Sequence, residues 1–315
     1  MKIIASIVAL CLTLVGSQAL AVQVETYSTS SKETKDVALV EAESPFSFEF
    51  QAEGTFVGEG DVERGEHGNM RVRNFDESDT RIHFILTPMT KIGILRLGLQ
   101  TERYSFGYGN LRPIPNDLHS TALVIGLDTE FSDSFLIRFE MDPGFYGTDF
   151  DDFGRDTFNV PVILGGTYIF SSNFQIVFGI GVDALRKYPV LPGGGIRWKF
   201  APQWTLNAVV PTPRIEFEPN SNLLFYAGAD IRATSYRVEK NYGSLRGDPS
   251  LNHAAITYEE VRVGGGLDWK LSSAAKLSLE AGVIPYRDFD FHRTQDRYHQ
   301  DGIAPYGMAA LHVAF

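Results

Sequence analysis

A chain of 315 residues with 28 Lys+Arg against 39 Asp+Glu carries a formal net charge of −11, a balance that argues against nucleic-acid partners and against a polybasic membrane-docking surface. The one cysteine, Cys11, lies in the first apolar run, so a disulfide framework and a thiolate metal site are both excluded for the remainder. Beyond that run no apolar stretch reaches the roughly 18 residues of a spanning helix, which leaves strands as the only way this chain can cross a bilayer.

Met1-Lys2, the apolar run from Ile3 to Val15, and the small residues Ala19 and Ala21 form the three parts of a secretory signal. Residues 1–21 are therefore expected to be a signal peptide cleaved after Ala21. Residues 22–44 are polar and acidic without a sustained period and read as a flexible lead. From Pro45 almost to the end the period is two. Phe135 to Met141, Phe174 to Asp183, Ile196 to Phe200 and Val261 to Leu271 each set large apolar residues on one face and charges or glycine on the other. That is strand patterning. No amphipathic helix stands out.

Tight polar turns recur between these strands. Ser132-Asp133-Ser134, Ser171-Ser172-Asn173, Ala201-Pro202-Gln203 and Ser272-Ser273-Ala274 are each flanked by bulky residues. Pro219 to Asn222 and Pro88 to Thr90 look similar. The other connections read as long and polar: 57–79, 104–119, 142–157, 183–194, 236–256 and 285–302. The short Val210-Pro211-Thr212-Pro213 segment is either a connection or a bend in one strand. Short turns at one end and long loops at the other, with about 14 strands, match a transmembrane β-barrel over residues 45–315.

A soluble sandwich alternates too, but three features favour lipid outside. The polar face mixes both charge signs with glycine: Arg96, Asp128, Glu130, Arg138, Glu140, Glu216, Asp230, Arg232, Arg262, Asp268, Lys270 and Glu280 fall on it as candidate lumen charges. Aromatics gather beside the tight turns (Phe131, Phe135, Phe170, Phe174, Phe200, Trp204, Phe217 and Trp269), as in an interfacial girdle. The last strand places Ala309, Leu311, Val313 and Phe315 on one face. That strand resembles the closing strand of outer-membrane barrels, and Phe315 is a candidate assembly signal for the barrel-insertion machinery. The pattern over 45–315 resembles uncharacterised single-domain, porin-like outer-membrane β-barrel families, which implies residence in the outer membrane of a Gram-negative-type envelope.

Candidate chemistry is sparse. Asp149-Phe150-Asp151-Asp152 with Asp156 lacks the spacing of a calcium loop. Asp288, Asp290, His292, Asp296, His299 and Asp301 bring together the residue types of a surface hydrolase, yet one loop does not establish catalytic geometry. Gly193-Gly194-Gly195 and Gly264-Gly265-Gly266 precede no helix and read as bends or bulges in strands. No cofactor motif is present. The expected function is a passive channel for small polar solutes or ions, with outer-membrane lipid as its surroundings. The alternatives are a closed structural or adhesive barrel and, behind it, a surface hydrolase.

Overall fold

The structure, a computed structural model, describes residues 47–65, 71–107, 114–149, 154–292, 294 and 296–315. The expected signal peptide and polar lead lie outside the described residues. Fourteen strands follow in order: β1 (Phe48–Arg64), β2 (Arg71–Leu86, continued by Met89–Thr90), β3 (Gly93–Gly107), β4 (Asp117–Ser132), β5 (Phe135–Met141 and Gly144–Gly147), β6 (Phe158–Asn159 and Val162–Ser171) and β7 (Phe174–Val182). They continue as β8 (Val190–Ala201), β9 (Trp204–Val210), β10 (Arg214–Asn220), β11 (Leu223–Arg237), β12 (Ala255–Lys270), β13 (Ala275–His292) and β14 (Arg297–Asp301 and Ala304–Ala314). Each pairs antiparallel with the next, and β1 closes on β14 with Glu49 opposite Ala314 and Val57 opposite Tyr306. Both backbone groups of Phe48 and Phe315 are exchanged at this seam, at 3.1 and 3.0 Å. Proline interrupts β5 after Asp142 and β6 after Val160, so each strand is split in two without losing its neighbour.

The tight turns form where side-chain oxygens replace ladder partners. Asn220 accepts from the amides of Asn222 and Leu223 at 2.9 and 3.1 Å, and the Ser272 hydroxyl accepts from Ala275 at 3.0 Å. The Val210 to Pro213 segment is a connection between β9 and β10, not a bend.

Above those turns, the outer wall is apolar. Leu97, Leu99, Leu123, Leu164, Phe178, Phe225 and Leu279 all project from it exposed, and Phe131 and Phe170 at the turns are 78% and 73% exposed. A continuous exposed apolar surface of this kind is stable only against another apolar medium. The fold is a closed, transmembrane, antiparallel β-barrel.

The wall is uneven in height. Strands β1 to β5 and β11 to β14 climb well beyond β7 to β10, and at the top β5 reaches β11 directly through a parallel bridge between Gly147 and Arg237. The tall strands enclose a second environment. Val62, Phe75, Tyr104, Phe106, Leu118, Tyr146, Tyr236, Ile256, Tyr258, Phe289, Phe291 and Tyr298 form one buried apolar cluster, drawing on every tall strand and on none of β6 to β10. The apolar face therefore inverts along each tall strand. On β3, Leu97 and Leu99 face out, whereas Tyr104 and Phe106 face in. Bulges between Val57 and Val62 and between Val261 and Val263 accompany the change. Much of the sequence expected as long loops is consequently strand: β1 runs to Arg64, β2 begins at Arg71, and β13 reaches His292.

Glycines in β12 make room for tyrosines. Tyr226 lies opposite Gly266, which lies opposite Glu280, and the phenol donates to Glu280 across the glycine at 2.8 Å. A Cβ on Gly266 would sit 2.6 Å from the Tyr226 Cζ, and one on Gly264 would sit 2.7 Å from the Tyr306 hydroxyl. Gly266→Ala is expected to lift Tyr226 off the wall and destabilise the barrel by about 1–3 kcal/mol. Tyr226→Phe should cost about 1 kcal/mol, one hydrogen bond. Urea unfolding of the refolded protein followed by tryptophan fluorescence measures both.

Candidate functional site

Three layers fill the interior from the short-turn end upward. The lowest is a vestibule of ion pairs, some partly exposed and some built on the buried Arg96 and Glu216. Asp128 accepts two hydrogen bonds from Arg138, both at 2.7 Å, with side chains 27% and 29% exposed. Lys276 reaches Asp268 at 3.4 Å, and Arg96 joins Glu140 at 3.1 Å and Glu49 at 3.7 Å. On the opposite wall Arg197 and Arg214 converge on Glu216 at 3.1 and 2.8 Å.

The middle layer is a belt of four buried guanidiniums and five buried carboxylates, with the partly exposed Asp230 at its edge. Arg232, on β11, donates to Glu53 across the lumen and to Asp230 along its own strand, each at 2.7 Å. Arg262, on β12, joins Glu260 at 2.6 Å, Thr55 at 2.9 Å and, very closely, Asp79. Arg81 grips Glu102, which also accepts from Tyr104 at 2.9 Å. Arg287 pairs with Glu77 at 3.3 Å and lies 5.2 Å from the centre of the Phe75 ring. Arg262 and Arg287 are each 1% exposed. Ion pairing with neighbouring carboxylates makes such burial tolerable, since isolated charges here would be very costly. Glu77, Asp79 and Glu260 lie close enough together to hold a metal ion, and the Arg262 guanidinium is the cation that stands among them.

The third layer is the aromatic cluster, which caps the belt. Tyr258 ties the two together, its hydroxyl 2.6 Å from Glu77 and 3.1 Å from Glu260.

Beside the belt, under the low wall, lies a cavity of about 100 Å³. The segment after β7 lines one side of it. Asp183 accepts from Asn159 of β6 at 2.8 Å and from the Leu185 amide at 3.0 Å. Arg186 pairs with Asp183 at 3.2 Å and donates to the Ala233 carbonyl of β11. The segment thus bridges the gap between the short and tall parts of the wall.

Among the candidate lumen charges, Arg232, Asp230 and Arg262 stand in or beside the belt, while Arg96, Asp128, Arg138, Glu140, Glu216 and Asp268 pair in the vestibule. Glu280 holds Tyr226 and Tyr306. Glu130 and Lys270 are exposed near the short turns. Sequence reading did not single out Glu53, Glu77, Asp79, Arg81, Glu102, Glu260 or Arg287. A signal was available: Glu77, Asp79 and Arg81 repeat every second residue, directly above outward-facing Ile82 and Phe84.

The other motifs are tied to cations. Asp288 accepts from Arg297 at 2.8 and 3.0 Å, Asp301 from Arg71 at 2.7 Å, and Asp296 from Arg64. Asp156 meets Lys240 at 2.8 Å, and that ammonium holds its carboxyl below the usual carboxylate range. Residues 150–152 of the same acidic motif lie outside the described residues.

No family model and no curated protein matches the chain. Solved structures do. The CymD monoaromatic hydrocarbon channel is 9% identical over 88% of this chain and 90% of its own, with a TM-score of 0.44. The Pseudomonas putida toluene transporter TodX is 10% identical over 87% and 91%, with a TM-score of 0.38. A KdgM porin in complex with disordered oligogalacturonate is 9% identical over 85% and 99%, with a TM-score of 0.35. At such scores the likeness adds nothing to what the strand order itself establishes.

Arg262→Met should leave Asp79 and Glu260 buried without their central cation and destabilise the barrel by about 3–5 kcal/mol. Arg103→Ala, which breaks the exposed 3.0 Å pair with Asp117, should cost no more than about 1 kcal/mol. Urea midpoints of the refolded variants report the contrast.

Proposed function

We propose that the protein is a passive transport barrel of the outer membrane for small polar solutes or ions, seen here shut. The observation that carries this reading is the vestibule. Several of its ion-pair members, among them Asp128, Arg138 and Lys276, are partly exposed inside the barrel, which supports a lower lumen that holds water. A barrel of this girth is too wide for side chains alone to fill, and a hydrated charged lining suits solvated cargo. The belt and the aromatic cap then form the gate. Residence in the outer membrane fits the apolar outer wall, the girdle beside the short turns and the secretory signal read in residues 1–21.

A second reading, a closed structural or adhesive barrel acting through its outer end, is favoured by the same belt, whose buried ion pairs bridge the lumen. Liposome swelling with refolded protein separates the two, with insertion checked by heat-modifiable gel migration. Wild type should give slow swelling in small polar solutes, and the paired neutralisation Glu77→Gln with Arg287→Gln should speed it severalfold by loosening the gate. Correctly inserted wild type and double variant that both fail to swell liposomes would replace transport with the structural reading.

A further inference from the structure

The charges of the belt do not balance. Five carboxylates are buried in it (Glu53, Glu77, Asp79, Glu102 and Glu260) against the four guanidiniums of Arg81, Arg232, Arg262 and Arg287. Arg81 serves Glu102, Arg232 serves Glu53 and the partly exposed Asp230, and Arg287 serves Glu77. Arg262 is left to serve both Asp79 and Glu260. The other approaches are longer: Arg232 to Asp79 at 3.8 Å, and Arg262 to Glu77 and Glu53 at 3.9 and 4.0 Å. Glu77, Asp79 and Glu260 each offer an oxygen within 4.8 Å of the other two. Buried carboxylates so close together do not all ionise unless cations match them, and among the described residues the belt is one cation short.

Two further observations put a proton in that place. Glu77 Oε1 and Asp79 Oδ1 are buried and accept no hydrogen bond among the described residues, whereas a buried, fully ionised carboxylate needs both oxygens satisfied. The Tyr258 hydroxyl lies 2.6 Å from Glu77 Oε2 and 3.1 Å from Glu260 Oε2. A phenol has one hydrogen to donate. Given to one carboxylate, it leaves the other contact to be made in reverse, by a carboxyl O–H donating to the phenol oxygen. No neighbouring element brings a further positive charge among the described residues. Thr55 of β1 accepts from Arg262, Tyr104 and Tyr236 serve Glu102, and the Tyr306 ring of β14 lies 5.7 Å from Arg262. Ser78, Thr80 and Arg103 face outward at this height, so the pair stands above the lipid-facing band.

We propose that Glu77 and Glu260 share one proton through Tyr258, and that releasing it unlocks the belt, which makes the gate a protonation switch. The switch rests on the transport reading; the shared proton does not. With the proton in place, four guanidiniums face four buried carboxylates and the belt is neutral. Without it the trio holds a buried negative charge that has no counter-charge, and water entering between β2 and β12 relieves it. Carboxylates of the unfolded chain are ionised above about pH 5. The folded state then binds one proton more than the unfolded state, so stability falls as pH rises.

The test is urea unfolding of the refolded protein in detergent between about pH 6 and about pH 9. The unfolding constant of the wild type should rise by up to about tenfold per pH unit. Glu77→Gln and Glu260→Gln each put a neutral isostere in place of one proton carrier and leave the belt balanced, so both should lose that rise. Asp117→Asn, in the exposed pair with Arg103, should keep it. A wild type without the rise, or glutamine variants that retain it, would overturn the shared proton. If the glutamine variants fail to show heat-modifiable migration, the infrared spectrum of the wild type decides. A protonated-carboxyl carbonyl band present at about pH 6 and gone by about pH 9 upholds the proton, and its absence removes it. Liposome swelling is read separately, and the wild type should swell vesicles severalfold faster at the alkaline end while Glu260→Gln stays slow throughout. Swelling indifferent to pH beside a pH-dependent unfolding constant would overturn the switch and leave the proton. No swelling at any pH would overturn transport, again leaving the proton in place.

Discussion

Every strand in this molecule needs two neighbours, because lipid supplies no hydrogen-bond partner to an open edge. The pairing of β1 with β14 removes the last edge, and from that closure the remaining features follow. Closing fourteen strands fixes a girth that side chains cannot fill. The interior must therefore either hold water or be bridged from wall to wall. The two levels are stacked: ion pairs that are in part exposed below, and long arginine side chains spanning to opposite carboxylates above.

The belt marks the boundary between two solvents. Below it the apolar side chains face outward into lipid and the polar ones face the lumen. Above it the strands leave the bilayer, water surrounds the outside, and the apolar side chains turn inward to make an ordinary packed core. Arginine and carboxylate occupy the level at which neither arrangement holds. Their mutual pairing lets charged groups reside between the polar vestibule and a dry aromatic cap, with Tyr258 and Tyr104 presenting hydroxyls downward and rings upward.

This inversion also explains what could be read from the chain and what could not. Period-two segments such as Phe174 to Asp183 keep one phase throughout, so their strands, their tight turns and the apolar outer face were legible. Glu53, Glu77 and Asp79 sit where the apolar phase changes sides, and Gly58 to Gly60 and Val261 to Val263 add bulges. A pattern that changes phase looks like no pattern, and polar residues beyond it look like loop. Arg232 stood out because β11 stays regular around it, and Arg262 because the alternation of the sequence from Val261 to Leu271 runs on past the bulge at its own position. Their cross-barrel partners, some two hundred residues away, are fixed by closure, which no local window contains. The cavity beside β6 and β7 depends on differences in strand length around the ring and is likewise invisible locally.

On the transport reading proposed above, the vestibule has an electrical consequence. Water containing mobile ions conducts, so a vestibule open at one end carries the potential of that side deep into the wall. The full potential difference between the two faces then falls across the belt and cap alone. The local field there exceeds the average over the roughly 30 Å hydrocarbon core by the ratio of the two thicknesses. The charges that experience that concentrated field are the guanidiniums of Arg232, Arg262 and Arg287 and their carboxylate partners, which makes the proposed gate the part of the barrel most strongly coupled to any voltage or Donnan difference across the membrane.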